Sequence, residues 1–165
     1  MILVALTVNA QNASTLNNKG FRQAKKGNYA RAIELFTKAV QADPFFSDAW
    51  YNRGLAYSRL QLYSQAIEDY TKAIKLRPHF KMAFNNRAAD KNELKDYAGA
   101  IEDYTMAIVL DSGYARAWYN RGIVQMNLQE YEKAILDFTK AIQLEPGHQE
   151  AHHNREIAER RRTKN

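Results

Sequence analysis

The chain has 165 residues, of which 45% are hydrophobic and 25% charged, and this suits one folded domain. It contains no run of 18 apolar residues, which excludes a transmembrane helix, and no cysteine, which excludes disulfides and thiol chemistry while saying little about compartment. The net charge of +6 is uneven: residues 1–33 carry +5, residues 160–164 carry +4 and the stretch between them −3. Basic ends of this kind attract nucleic acid or anionic lipid non-specifically, and otherwise read as solvated chain.

In chain order, residues 1–12 form an apolar N-terminal segment. Met1 to Gln11 lacks a positive start but ends in Val8-Asn9-Ala10. It reads either as the remnant of a secretory signal peptide cut after Ala10, placing the protein in the periplasm or outside the cell, or as an apolar extension packing on the first helix of a cytoplasmic protein. Helices are then expected in pairs, roughly 14–26 with 30–42, 48–60 with 64–76, 82–94 with 98–110, and 116–128 with 132–144. Ser47 and Asp48 suit a helix start, and Gly27 suits the end of the first helix. Pro44, Pro78 and Pro146 stand just after a helix and stop it. Residues 149–162 are expected to form a closing helix whose polar face seals the last apolar surface, with 163–165 as a tail.

These pairs are copies of one another. Trp118, Arg121-Gly122, Tyr131, Ala134-Ile135, Phe138-Thr139-Lys140-Ala141 and Pro146 recur 34 residues earlier as Phe84, Arg87-Ala88, Tyr97, Ala100-Ile101 and Tyr104-Thr105-Met106-Ala107. Another such step back gives Trp50, Arg53-Gly54, Tyr63, Ala66-Ile67, Tyr70-Thr71-Lys72-Ala73 and Pro78. The first copy has Leu16, Lys19-Gly20, Tyr29, Ala32-Ile33, Phe36-Thr37-Lys38-Ala39 and Pro44. Small residues such as Gly122 and Ala134 let two helices approach, while Trp118 and Phe138 fill the space beside them. One helix pair cannot bury its own apolar face, so pairs at a fixed period stack.

The pattern resembles the tetratricopeptide repeat, W-x2-L-G-x2-Y, then A-x3-F, then P. The resemblance implies an all-α, right-handed solenoid of four helix-turn-helix units, 13–46, 47–80, 81–114 and 115–148, closed by a C-terminal capping helix. Arg or Lys fills the Leu place in every copy, and the third copy has Ala88 for Gly and Ser112 for Pro. With Asp90 and Lys91 where the second copy has Ala56 and Tyr57, the third copy is expected to be the least stable.

Asn18, Asn52, Asn86, Asn120 and Asn154 recur at the same interval. In the repeats this chain resembles, that place faces a concave groove. An amide both donates and accepts, so an Asn column suits an extended peptide whose own backbone groups need partners. The alternative is that these amides tie neighbouring helices together. Tyr51, Tyr119, Phe21, Leu55 and Ile123 are expected to line the groove beside the column, with part of that stripe in the core. A subset of the family clamps a C-terminal carboxylate with Lys-Asn, Asn and Lys-Arg. Asn17, Phe21, Met82 and Asn86 stand in four of those places and only Asn52 matches, so that clamp is not expected.

His148 and His152 have metal-ligand spacing, but two ligands fall short of the three or four that zinc takes, and no metal site is expected. The chain carries no nucleophile motif, phosphate loop or HExxH, and no enzyme activity or cofactor is expected. Glu68-Asp69 and Glu102-Asp103 read as a solvated face. The function that follows is a protein-interaction module taking a peptide or partner segment through the Asn column. The alternative is an assembly subunit that self-associates or docks a larger partner by other surfaces. Nucleic-acid binding through the basic ends is the weakest reading.

Overall fold

The structure is a computed structural model describing residues 2–163, with side chains from residue 11 onward. The described residues form nine α-helices and no strand: α1 (Ile2–Lys25), α2 (Tyr29–Ala42), α3 (Ser47–Arg59), α4 (Tyr63–Leu76), α5 (Lys81–Glu93), α6 (Tyr97–Leu110), α7 (Ala115–Asn127), α8 (Tyr131–Leu144) and α9 (Gln149–Arg162). The expected pairs and the closing helix are all present, within about a residue at each end, except that α1 starts well before residue 13. Side chains of the apolar segment before Gln11 lie outside the described residues. No helix among the described residues is long and apolar enough to cross a membrane.

The chain divides into two compact units, Met1–Asp90 and Lys91–Asn165. In the first, α1 packs on α2, α3 on α4, and α2 on α3. Its core is built from small residues and aromatics: Ala32 and Phe36 meet Ala56, and Ala39 and Val40 meet Ala49 and Trp50. In the second, α7 packs on α8, α8 on α9 and α6 on α7, and Ala134, Phe138 and Ala158 form a buried cluster. The glycines of the repeat are contact points. A Cβ on Gly54 would lie 2.8 Å from the Tyr70 ring, and one on Gly122 would lie 2.7 Å from the Phe138 ring.

The first helix of each pair ends in the same turn. Gly27, Gln61, Lys95 and Gln129 have φ of 79°, 60°, 63° and 60°. The next residue's N–H bonds back five places: Asn28 to the Gln23 carbonyl at 3.0 Å, Leu62 to Tyr57 at 3.0 Å, Asp96 to Lys91 at 2.9 Å and Glu130 to Gln125 at 2.9 Å. This left-handed cap satisfies carbonyls that the helix end leaves open. Only the first copy meets it with glycine. The turn between pairs is held by the indole of the Trp place. Trp50 Nε1 donates to the Pro44 carbonyl at 2.9 Å and Trp118 Nε1 to the Ser112 carbonyl at 3.0 Å.

The cations at the Leu place have a structural reason. Arg53 Nε and Nη2 donate to the two Asp69 carboxylate oxygens at 2.7 and 2.8 Å, and Nη1 donates to Thr37 Oγ1 at 3.1 Å. Arg121 repeats this on Asp137 at 2.7 and 2.8 Å and on Thr105 at 2.9 Å. The expected solvated face is therefore half wrong. Glu68 and Glu102 are exposed, but Asp69 and Asp103 are buried, because each carboxylate has a cation from a first helix. Burial pushes the Asp69 carboxyl up from its ordinary value against the opposing pull of Arg53. The third copy's charges are also accommodated: Asp90 accepts from Ser58 Oγ at 2.7 Å, and Lys91 Nζ lies 2.9 Å from Asp103.

Candidate binding face

The Asn column lies on the first helix of each pair, and its amides are partly spent between helices. Asn52 Nδ2 on α3 donates to Asn17 Oδ1 on α1 at 2.9 Å. Asn86 Nδ2 on α5 donates to Tyr51 Oη on α3 at 2.8 Å, and Asn154 Nδ2 on α9 donates to Tyr119 Oη on α7 at 3.0 Å. Each bond reaches the residue 35 places earlier, so the column ties a first helix to the one before it. Asn18, on the first of these helices, is exposed, while Asn52, Asn86, Asn120 and Asn154 are half-buried. One amide proton and the carbonyl oxygen remain on Asn52 and on Asn154 once these bonds are made.

The expected lining residues fall into two groups. Phe21, Asn52 and Leu55 come together in one pocket of about 240 Å³ in the first unit, with Tyr29, Lys25 and Arg59 completing its rim. Phe21 is 47% exposed, and Lys25 Nζ sits 4.9 Å from its ring centre. Tyr51 and Tyr119 are half-buried instead. Tyr51 packs at a tilt on Phe80 and Tyr119 on His148, both with ring centres 4.6 Å apart, so their rings belong to the packing while their hydroxyls receive the Asn amides. Burial and, after it, the Glu150 carboxylate push the Tyr119 phenol up from its ordinary value. Ile123 packs against the Ala134–Phe138–Ala158 cluster. A recess in the second unit is lined by Tyr119, Glu150, His153 and Asn154.

The two histidines with metal-ligand spacing have other partners. His148 Nδ1 accepts from the Ala151 N–H at 3.4 Å at the start of α9, and His152 Nε2 lies 3.0 Å from the Pro146 carbonyl, in the place of the indole N–H of the repeats. No group of three or more potential ligands gathers among the described residues. Lys25 and Arg59 were missed by sequence reasoning. The available signal was positional, since both close a first helix and both follow a groove residue by four places.

A tetratricopeptide repeat profile matches residues 47–80 and 115–148, and a second profile, described as TPR repeat, matches 22–61 and 91–129. The chain belongs to the tetratricopeptide repeat family. Among solved structures, the TPR chain is similar to MamA protein, with a TM-score of 0.87 and 25% identity over 93% of this chain and 84% of that one. It is also similar to a tetratricopeptide repeat protein from Parabacteroides merdae, with a TM-score of 0.84 and 25% identity over 93% of this chain and 61% of that one. The Arabidopsis OM64 TPR domain aligns with a TM-score of 0.68 and 30% identity over 69% of this chain and 94% of that one. Uncharacterized protein MJ0572 of Methanocaldococcus jannaschii is 38% identical over 45 residues, and this match spans 27% of the present chain and about half, 52%, of that relative. TPR repeats with these neighbours support a protein–protein interaction module.

Proposed function

We propose that this TPR module binds an extended segment of a partner protein along the exposed face of its first helices, with the Asn column contacting the partner's backbone. The observation that carries the reading is the pocket uniting Phe21, Asn52 and Leu55, where an amide with unspent hydrogen-bonding capacity sits beside apolar side chains. An apolar recess with a few placed polar groups is the usual form of a recognition site. A second reading, docking through other surfaces, is favoured by Phe45, Val109 and Leu136, which are 80%, 71% and 70% exposed and lie off the Asn column.

A photo-crosslinking residue placed at Phe21, and in a separate protein at Leu136, tests the two. Cross-links to partner from Phe21 but not from Leu136 are expected. The reverse pattern would transfer the binding site to the second helices, and self-cross-linking from Leu136 would establish the assembly reading.

A further inference from the structure

The pocket of the first unit differs from a generic groove in its charge. Its rim carries Lys25 and Arg59, and no acidic residue lines it. Neither cation has a carboxylate partner among the described residues, unlike Arg53, Arg77, Lys91 and Arg121. Each is the last residue of its helix, where the carbonyl end of the helix favours a cation, so the charges are held without being neutralised. Lys19, Arg22 and Lys26 lie on the same stretch of chain, which has no acid before Glu34. The equivalent places in the later copies hold Glu93 and Asn127, so the cationic rim belongs to this pocket and not to the repeat.

We infer that the pocket formed by Phe21, Leu55 and Asn52 takes an apolar side chain of an acidic peptide, with Lys25 and Arg59 pairing carboxylates on either side of it. The inference rests on the binding face proposed above and specifies its ligand. An apolar side chain gains by leaving water for Phe21, Tyr29 and Leu55. Flanking Asp or Glu residues find unneutralised cations at the rim, and Asn52 offers an amide to the backbone between them. A nucleic-acid strand also answers to positive charge. The exposed aromatic of the recess, Phe21, however, already carries Lys25 Nζ 4.9 Å from its ring centre, and Leu55, Ala24 and Ala56 beside it offer an aliphatic side chain contact rather than a base a stacking partner.

The test is fluorescence anisotropy on the full chain. The probes are a labelled, capped peptide with one Phe between pairs of Glu and Asp, its Gln/Asn counterpart, its Phe→Ala counterpart, and a labelled oligothymidylate. The acidic Phe peptide is expected to bind. The amide counterpart, or a Lys25→Glu/Arg59→Glu protein, should each weaken binding roughly tenfold at low salt, as the loss of two partly exposed ion pairs implies. The Phe→Ala peptide should lose binding, and Lys25→Arg/Arg59→Lys should retain it. Equal binding of acidic and amide peptides, or indifference to charge reversal, would overturn the ligand class and leave the binding face standing. Charge reversal that affects only the oligothymidylate would also overturn it. If neither these peptides nor any member of a displayed random decapeptide library binds, the binding face falls as well.

Discussion

Arg121 and Asp137 are joined by two parallel hydrogen bonds of 2.7 and 2.8 Å, although Asp137 is almost fully buried. The pair links the first and second helices of one repeat and reaches Thr105 in the repeat before. Removing only the cation strands a buried carboxylate. Arg121→Leu is therefore expected to cost about 3 kcal/mol in urea unfolding, while Arg121→Leu/Asp137→Leu recovers most of the loss. Equal destabilisation by the single and double variants would mean that the pair does not act as a unit.

Gly122→Leu and Ala134→Leu should each destabilise by about 1–3 kcal/mol, because the added atoms enter the contact between α7 and α8. Gly147→Ala provides the contrast, since a Cβ there meets nothing within 4 Å. Thermal melting of the three proteins checks the ranking, and unchanged curves for the first two would remove the close-contact explanation.

The left-handed turn residues make a prediction of opposite sign. An L-residue in that conformation costs roughly 1–2 kcal/mol, and glycine gives part of this back through the freedom of its unfolded chain. Gln129→Gly should raise stability by about 0.5–1 kcal/mol, and Gly27→Ala should lower it by a similar amount. A Gln129→Gly protein with a lower denaturation midpoint would show that the glutamine side chain contributes more than its backbone costs.

The Asn column carries both a structural and a binding expectation. Asn52→Ala/Asn154→Ala removes the bonds to Asn17 and Tyr119, so stability should fall by about 0.5–1.5 kcal/mol for each. If the column also contacts the partner, affinity measured per folded molecule falls too. Lowered melting with unchanged affinity would confine these residues to tying helices together.

The helix pairs were legible because a fixed period of 34 repeats most helix-stopping and close-contact residues in register. The Arg–Asp pairs were legible in principle. Arg53/Asp69 and Arg121/Asp137 share a spacing of 16, a place that Leu35 fills relative to Lys19. The cations depart from the family pattern, the acids read as surface, and nothing in a helical pattern shows that the two faces meet. The charges of the third copy follow the same rule, since a charge in sequence does not reveal its partner: Ser58 for Asp90, Asp103 for Lys91. The cationic rim was hidden because Lys25 and Arg59 lie 34 residues apart and become neighbours of one pocket only after α1 and α3 pack.

The indole bonds to the inter-pair turns have a practical consequence. Trp50 and Trp118 are the only two tryptophans, and one falls in each compact unit. Each is bound to a loop carbonyl and lies under an arginine, with Arg53 at 4.8 Å and Arg121 at 5.0 Å from the respective ring centres. Emission from either ring should shift when its own turn opens to water. A Trp118→Phe protein would then report on the first half of the chain and a Trp50→Phe protein on the second, giving each half an optical signal without an added dye.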